Sequence, residues 1–251
     1  MYGDKFINFV SKGIGNYYIG TGNPNSNTLF IGKESAIHST DTFTRNWYDC
    51  NAQSWAIHIN TNSCEILEYF VDNNHPLRAS WGRNTWSKYQ KLSDFIRDKE
   101  SEPYYVDFLK HAFSTEINDA PMKRTSEAEK SSIIQRKLLF KNSKFIQDFP
   151  VVVLACSDYI QNNDDIREID DIFGVTYCGD EEGKYWYNKG NWFFLHYSPD
   201  RKKLVIHTRQ LSADVKNEML EKMGSIIRNH LAEIGEIESR KNLIQSLFYI
   251  I

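Results

Sequence analysis

Apolar residues along the chain fall into short uniform runs, separated by stretches where they recur every three or four positions. The uniform runs read as strands, those covered on both faces being apolar throughout, and the spaced stretches as helices with one apolar stripe. Val151-Val152-Val153-Leu154-Ala155 is the strongest strand signal, and Pro150 stops whatever precedes it. Thr28-Leu29-Phe30-Ile31 and Leu204-Val205-Ile206 repeat the pattern. Tyr104 to Leu109 is a further strand candidate, ending in the polar run Lys110 to Asn118.

Helices are expected between these runs. Asp4 opens one carrying Phe6, Phe9 and Val10, with Gly13 as its stop. Asn84-Thr85 starts another, in which Trp86, Tyr89, Leu92 and Phe95/Ile96 share a face. Ser126-Glu127-Ala128-Glu129 has the form of a capping box, predicting a helix through Gln147 with Ile133, Ile134, Leu138 and Phe145 inward. A short helix over 164–173 carries Ile166, Ile169 and Phe173 and is closed by Gly174. Ser212 is well typed as the N-cap of a helix with Val215, Met219, Met223 and Ile226/Ile227 on one face. A last helix over 237–251 aligns Leu243, Ile244, Leu247, Phe248 and Ile251.

The alternation predicts an α/β fold: a three-layer α/β/α arrangement around a central, mostly parallel four-stranded sheet. Val175–Cys178, Lys184–Tyr187 and Trp192–Tyr197, parted by turn residues, predict a small antiparallel addition near 175–197. The Gly-, Asn- and Pro-rich residues 13–27 are a loop, and 37–63 are irregular and aromatic. No repeat or low-complexity linker divides the chain, so 1–251 is expected to form a single domain.

A net charge of -3 supplies no global positive field for a polyanion. Cys50, Cys64, Cys156 and Cys178 are widely spaced with no C-x-x-C pair, which argues against a zinc ribbon and a disulfide framework. No metal or cofactor is expected. The N-terminus has no signal-peptide character and no apolar run reaches membrane-spanning length, so a cytoplasmic protein with reduced thiols and no membrane partner is the expectation.

Right-handed crossovers bring the C-terminal ends of parallel strands to one rim, where open α/β sheets bind ligands. On this reading the rim gathers Gly32–Ser35, Lys110–Asn118, Cys156–Asp158 and His207–Ser212. An ordinary polar turn explains any one of these segments taken singly; four at one rim suggest a cleft.

Two of them carry a family likeness. Gly32-Lys33-Glu34-Ser35-Ala36 follows the first strand, and His207-Thr208-Arg209-Gln210-Leu211-Ser212 ends the last. In order and spacing, residues 28 to 230 resemble the uracil-DNA glycosylase superfamily, whose first motif is of the type Gly-x-Asp-Pro-Tyr and whose second is His-Pro-Ser-Pro-Leu-Ser. The resemblance implies hydrolysis of the N-glycosidic bond of a flipped uracil or other altered base, with DNA or a nucleotide as partner. It implies that Glu34 orients water or faces the cationic sugar, and that His207 donates to a base carbonyl. Leu211 would wedge into the vacated stack, and Ser212 with the following helix N-terminus would hold a phosphate. Gly32, Ser35, Phe43, Lys110, His111 and Arg209 complete the expected substrate-binding set, with Phe43 or Trp47 as a stacking platform. The first motif lacks its proline, and Glu stands in place of Asp or Asn. Where DNA-repair members place an asparagine after the second inner strand, this reading finds Lys110-His111.

Two rivals remain. A thiol hydrolase would pair Cys156 with His207, although Leu154-Ala155-Cys156-Ser157-Asp158 lacks the glycines of a nucleophile elbow. A catalytically silent nucleotide-binding module would keep the fold and pocket without turnover.

Overall fold

The computed structural model describes residues 2–61 and 66–237; the expected helix over 237–251 lies, beyond Ile237, outside the described residues. The strands are β1 (Thr21–Gly22), β2 (Thr28–Gly32), β3 (Tyr69–Phe70), β4 (Tyr105–Val106), β5 (Phe113–Glu116), β6 (Val151–Leu154), β7 (Thr176–Tyr177), β8 (Lys184–Asn188), β9 (Asn191–Tyr197) and β10 (Leu204–Thr208). The helices are α1 (Asp4–Gly13), α2 (Thr42–Asp49), α3 (Asn51–Thr61), α4 (Thr85–Arg97), α5 (Ile133–Asn142), α6 (Lys144–Gln147), α7 (Glu168–Phe173), α8 (Gly179–Gly183) and α9 (Asn217–Glu233).

The main sheet runs β1-β5-β2-β6-β10-β9-β7, with β8 joined to β9, making eight strands. β5, β2, β6 and β10 are mutually parallel; β1 and β9 pair antiparallel at either side. The antiparallel strands expected near 175–197 therefore extend the main sheet. Alternation along each inner strand divides the core between two faces. Leu29, Ile31, Phe113, Val152, Leu154 and Val205 pack on one side with residues of α1, α3, α5, α6 and α7. Phe30, Val151, Val153, Leu204 and Ile206 pack on the other with α4 and α9. Among the described residues no helix is long and apolar enough to cross a membrane.

The structure corrects several of these expectations, and 37–63, read as irregular, holds α2 and α3. Of 104–109, Tyr105–Val106 alone is strand, paired antiparallel with β3 outside the main sheet. The second inner strand is β5, inside the run read as a polar loop. Its Phe113 and Thr115 are buried and Ile117 follows them in phase, while Ser114 and Glu116 face the other way, so it lacks the uniform apolar signature. The capping box at Ser126 does not open a helix: Thr125–Glu127 is a 3-10 turn and α5 begins at Ile133. Ile134 and Leu138, expected inward, are exposed, and Arg136 takes the inward face. α9 begins at Asn217 after Lys216, whose N–H donates to Asn191 Oδ1, so Ser212 is not its N-cap. The short helix expected over 164–173 is confined to Glu168–Phe173; Ile166 lies outside it and is exposed, while Gly174 closes it in the left-handed conformation at φ 64°.

Buried Arg136 ties three elements together. Nε and Nη2 donate to Glu116 O at 3.1 and 2.7 Å, Nη1 to Tyr18 O at 2.9 Å, and Nη2 also to Thr115 Oγ1 at 3.0 Å. Arg136→Met keeps much of the volume but strands these acceptors. Urea denaturation is expected to show a loss of about 3 kcal/mol, since each buried unsatisfied group costs about 1–3 kcal/mol.

Candidate functional site

The chain passes from β2 to β5 on one side, then returns across β2 to β6 and on to β10. The switch point therefore lies between β2 and β6, where the loops beyond the two carboxyl ends part and leave a crevice. Glu34 stands there, 7% exposed. Its Oε1 accepts from the Thr125 hydroxyl and its Oε2 from the Tyr159 hydroxyl, both at 2.6 Å. Two donors and no acceptor is the pattern an ionised carboxylate takes. Burial, followed by Glu34, raises the Tyr159 phenol well above its ordinary value. The Tyr159 ring lies under the ammonium groups of Lys33 and Lys130, at 4.6 and 5.1 Å from its centroid.

A second carboxyl sits beside the first. Glu116 closes β5 opposite Gly32 in the parallel register. A Cβ at position 32 would overlap the Glu116 carboxyl and approach the Tyr89 hydroxyl, so glycine is what lets the acid lie across β2. The Glu116 side chain is part-buried, with its carboxyl over Gly32. Burial, reinforced by the charge of Glu34, raises its carboxyl to about 8. The Tyr89 and Tyr48 hydroxyls, both buried, have no hydrogen-bond partner among the described residues. Asn118, two residues past β5, is fully buried and holds the following loop: Nδ2 donates to Glu129 O, and Oδ1 accepts from Ser132 Oγ at 2.8 Å.

Around this corner of the sheet opens a cavity of about 550 Å³ with a largely aromatic wall. Ile37 reaches it from the loop after Glu34, Trp47 and Tyr48 from α2, Trp55 from α3, and Trp86 from α4. Tyr48 stacks on Tyr18 with centroids 4.1 Å apart. Among the described residues, no group of three His, Cys, Asp or Glu side chains is placed to hold a metal ion.

His207 ends β10 with 4% exposure, and both ring nitrogens are engaged. Nε2 donates to Ser157 O at 2.9 Å, and Nδ1 accepts from Asn162 Nδ2 at 3.3 Å. The other Asn162 hydrogen goes to His196 Nε2 at 3.2 Å, and His196 Nδ1 donates to Asp170 at 2.6 Å. Burial pushes the His207 imidazole down to about 4, against the Ser157 carbonyl, so the ring is neutral at physiological pH.

The structure thus brings Gly32, Glu34 and Ser35 to the switch point, and Ser35 O accepts from Met122 N–H at 3.0 Å. Lys110 and His111 fall elsewhere. They precede β5, placing them at the opposite, N-terminal rim, where Lys110 pairs with Glu68 at 2.7 Å. Phe43 projects outward at 76% exposure and stacks on nothing among the described residues. Arg209 donates to Gly190 O, Leu211 is buried in the core, and Ser212 lies five residues before α9. Cys156 is wholly buried and its thiol is pushed up to about 12, which removes the thiolate that a hydrolase would need. Thr125, Tyr159, Glu116 and Asn162 were missed. The Phe113/Thr115/Ile117 alternation is the one sequence signal that leads to Glu116.

A folded-state acid near 8 in place of about 4.5 holds its proton while the unfolded chain ionises. Stability from this group therefore falls as pH rises from about 4.5 to about 8. Glu116→Gln removes that loss. Thermal melts of the variant and parent are expected to converge near pH 4.5 and diverge in the variant's favour at pH 8.

No protein-family model matches the chain, and comparison with curated proteins gives no match either.

Proposed function

We propose that the chain is a divergent member of the uracil-DNA glycosylase superfamily that hydrolyses the N-glycosidic bond of a uracil or other altered base. The observation that carries this reading is Glu34: a buried carboxylate, held at both oxygens by hydroxyls, at the switch-point crevice beside an aromatic cavity. Bond cleavage leaves positive charge on the sugar and negative charge on the departing base. A fixed carboxylate faces the first or orients the water that captures it. Aromatic walls receive the planar base once it has left the stack. The neutral state of His207 suits a hydrogen-bond donor to a base carbonyl, and its Nε2 proton must then leave Ser157 O. Ser157 sits at φ 53°, unfavourable for serine, which makes this turn the element that yields.

A second reading, a nucleotide-binding module without turnover, is favoured by the second motif. Both His207 nitrogens have protein partners, and Leu211 is packed in the core rather than free to wedge. Oligonucleotides carrying uracil and other altered bases, single- and double-stranded, treated with alkali after incubation, separate the two. Glu34→Gln is expected to slow excision by about 10²-fold or more, the usual scale for losing a positioned acid–base group. An active parent with unchanged Glu34→Gln removes Glu34 from the reaction; binding of a base without excision by the parent selects the silent module.

A further inference from the structure

Five aromatic side chains, Tyr18, Trp47, Tyr48, Trp55 and Trp86, wall the cavity, and among the described residues no Lys, Arg, Asp or Glu lines it. His58, also in the wall, is engaged by the Tyr2 hydroxyl at 2.6 Å. Tyr48 keeps a buried hydroxyl with no hydrogen-bond partner among the described residues, and folded proteins rarely leave such a group unpaired without a use for it. Aromatic faces carry partial negative charge, so a wall of this kind attracts a cation, most strongly through tryptophan and where water is excluded. The donors around the crevice are meanwhile spent. His207 Nε2 is bound to Ser157 O, Arg136 to carbonyl oxygens and Thr115 Oγ1, Arg209 to Gly190 O, and Lys33 to Asp158. A departing uracil takes the bonding electron pair as negative charge and needs a donor to receive it. A base that is positively charged before the bond breaks needs none, and the His207 ring stays where it is.

Resting on the glycosylase reading of this cleft, we infer that the aromatic cavity selects a cationic base, and that the altered base removed is a positively charged N-alkylated purine such as 7-methylguanine or 3-methyladenine. The C1′–N9 bond breaks with its electron pair passing onto the ring, which leaves neutral; water adds to C1′ and gives its proton to the Glu34 carboxylate. Positive charge thus moves from a ring held by the aromatic wall to a sugar faced by Glu34. The wall acts on binding, because its attraction is strongest before the bond breaks, and Glu34 acts on the rate. The Tyr48 oxygen has lone pairs for an exocyclic amino group, whose N–H is made a stronger donor by the charge of the ring. Trp47 is the wall most open to solvent, at the mouth of the cavity, so it can be varied without disturbing the core.

Isothermal titration of the full chain with 1-methyladenosine and N6-methyladenosine tests the binding, since the two are isomers and at neutral pH only the first is a cation. The parent is expected to bind the cation about tenfold or more tightly than its neutral isomer. Trp47→Leu removes most of that preference, and Trp47→Phe, which keeps a ring face, retains most of it; a thermal melt of each variant verifies that it is folded. Base release from duplex DNA methylated with dimethyl sulfate, set against duplex DNA carrying uracil, tests the substrate. With the protein-free rate subtracted, methylated purines are expected to leave about tenfold or more faster than uracil. Equal or tighter binding of the neutral isomer, binding of neither, a preference untouched by Trp47→Leu, or loss in Trp47→Phe equal to that in Trp47→Leu overturns the assignment. So does release of uracil as fast as the methylated purines, an outcome that keeps the glycosylase reading. That reading fails separately: a preference for the cation that depends on Trp47, with no base released from either DNA, overturns turnover and leaves the charge selectivity of the cavity standing.

Discussion

Parallel pairing of β2 with β5 sets Gly32 opposite Glu116, and the chemistry of the rim depends on that register. A side chain at 32 would displace the acid; a shift by one residue would turn it toward Arg136 and the opposite core. With the register as it stands, Glu116 and Glu34 share a poorly solvated corner in which two negative charges are costly. Hydroxyl donors from Tyr159 and Thr125 serve Glu34, while Glu116 receives none from the described residues. Burial, reinforced by the charge of Glu34, thereby favours the proton on Glu116 before any ligand is considered.

The layers and three of the four inner strands were legible because strands buried on both faces must be apolar throughout, as β2, β6 and β10 are. β5 escaped because one of its faces belongs to the site. A strand that carries Ser114 and Glu116 on one face cannot also be uniformly apolar. The misread helix start at 126 has a related cause: Thr125 is bound to Glu34, so its backbone serves the site as a turn. Arg136 was placed outward by the same logic of polarity, since nothing local in the sequence announces that the carbonyl oxygens of Glu116 and Tyr18 await a donor. Pattern reading recovered the scaffold and lost the places where function overrides pattern.

The two motif segments divide in the structure. The first supplies the site's carboxylate. The second is built largely into the scaffold: Leu211 packs under the sheet, Arg209 ties the end of β10 to the β8–β9 turn, and His207 is the terminus of a chain of hydrogen bonds through Asn162 and His196 to Asp170. Asn162 has two amide hydrogens and gives one to each imidazole, so it sets the tautomer of both. The proton of His207 is held on Nε2, directed at the β6 loop rather than at β9.

The cations of the crevice bear on what it can hold. Lys33 is paired with Asp158 at 2.9 Å and, with Lys130, lies against the Tyr159 ring; Arg136 is bound to backbone oxygens. Lys110 stands at the far rim. Few charges remain to grip an anion at the switch point, in keeping with a net charge of -3 over the chain. What the corner does offer is aromatic surface and neutral hydrogen-bonding groups, Tyr48 and Tyr89 hydroxyls and a carboxyl that holds its proton. On the reading proposed above, such a corner suits a planar ring that carries no negative charge, and any phosphate of a larger ligand would find its contacts outside it.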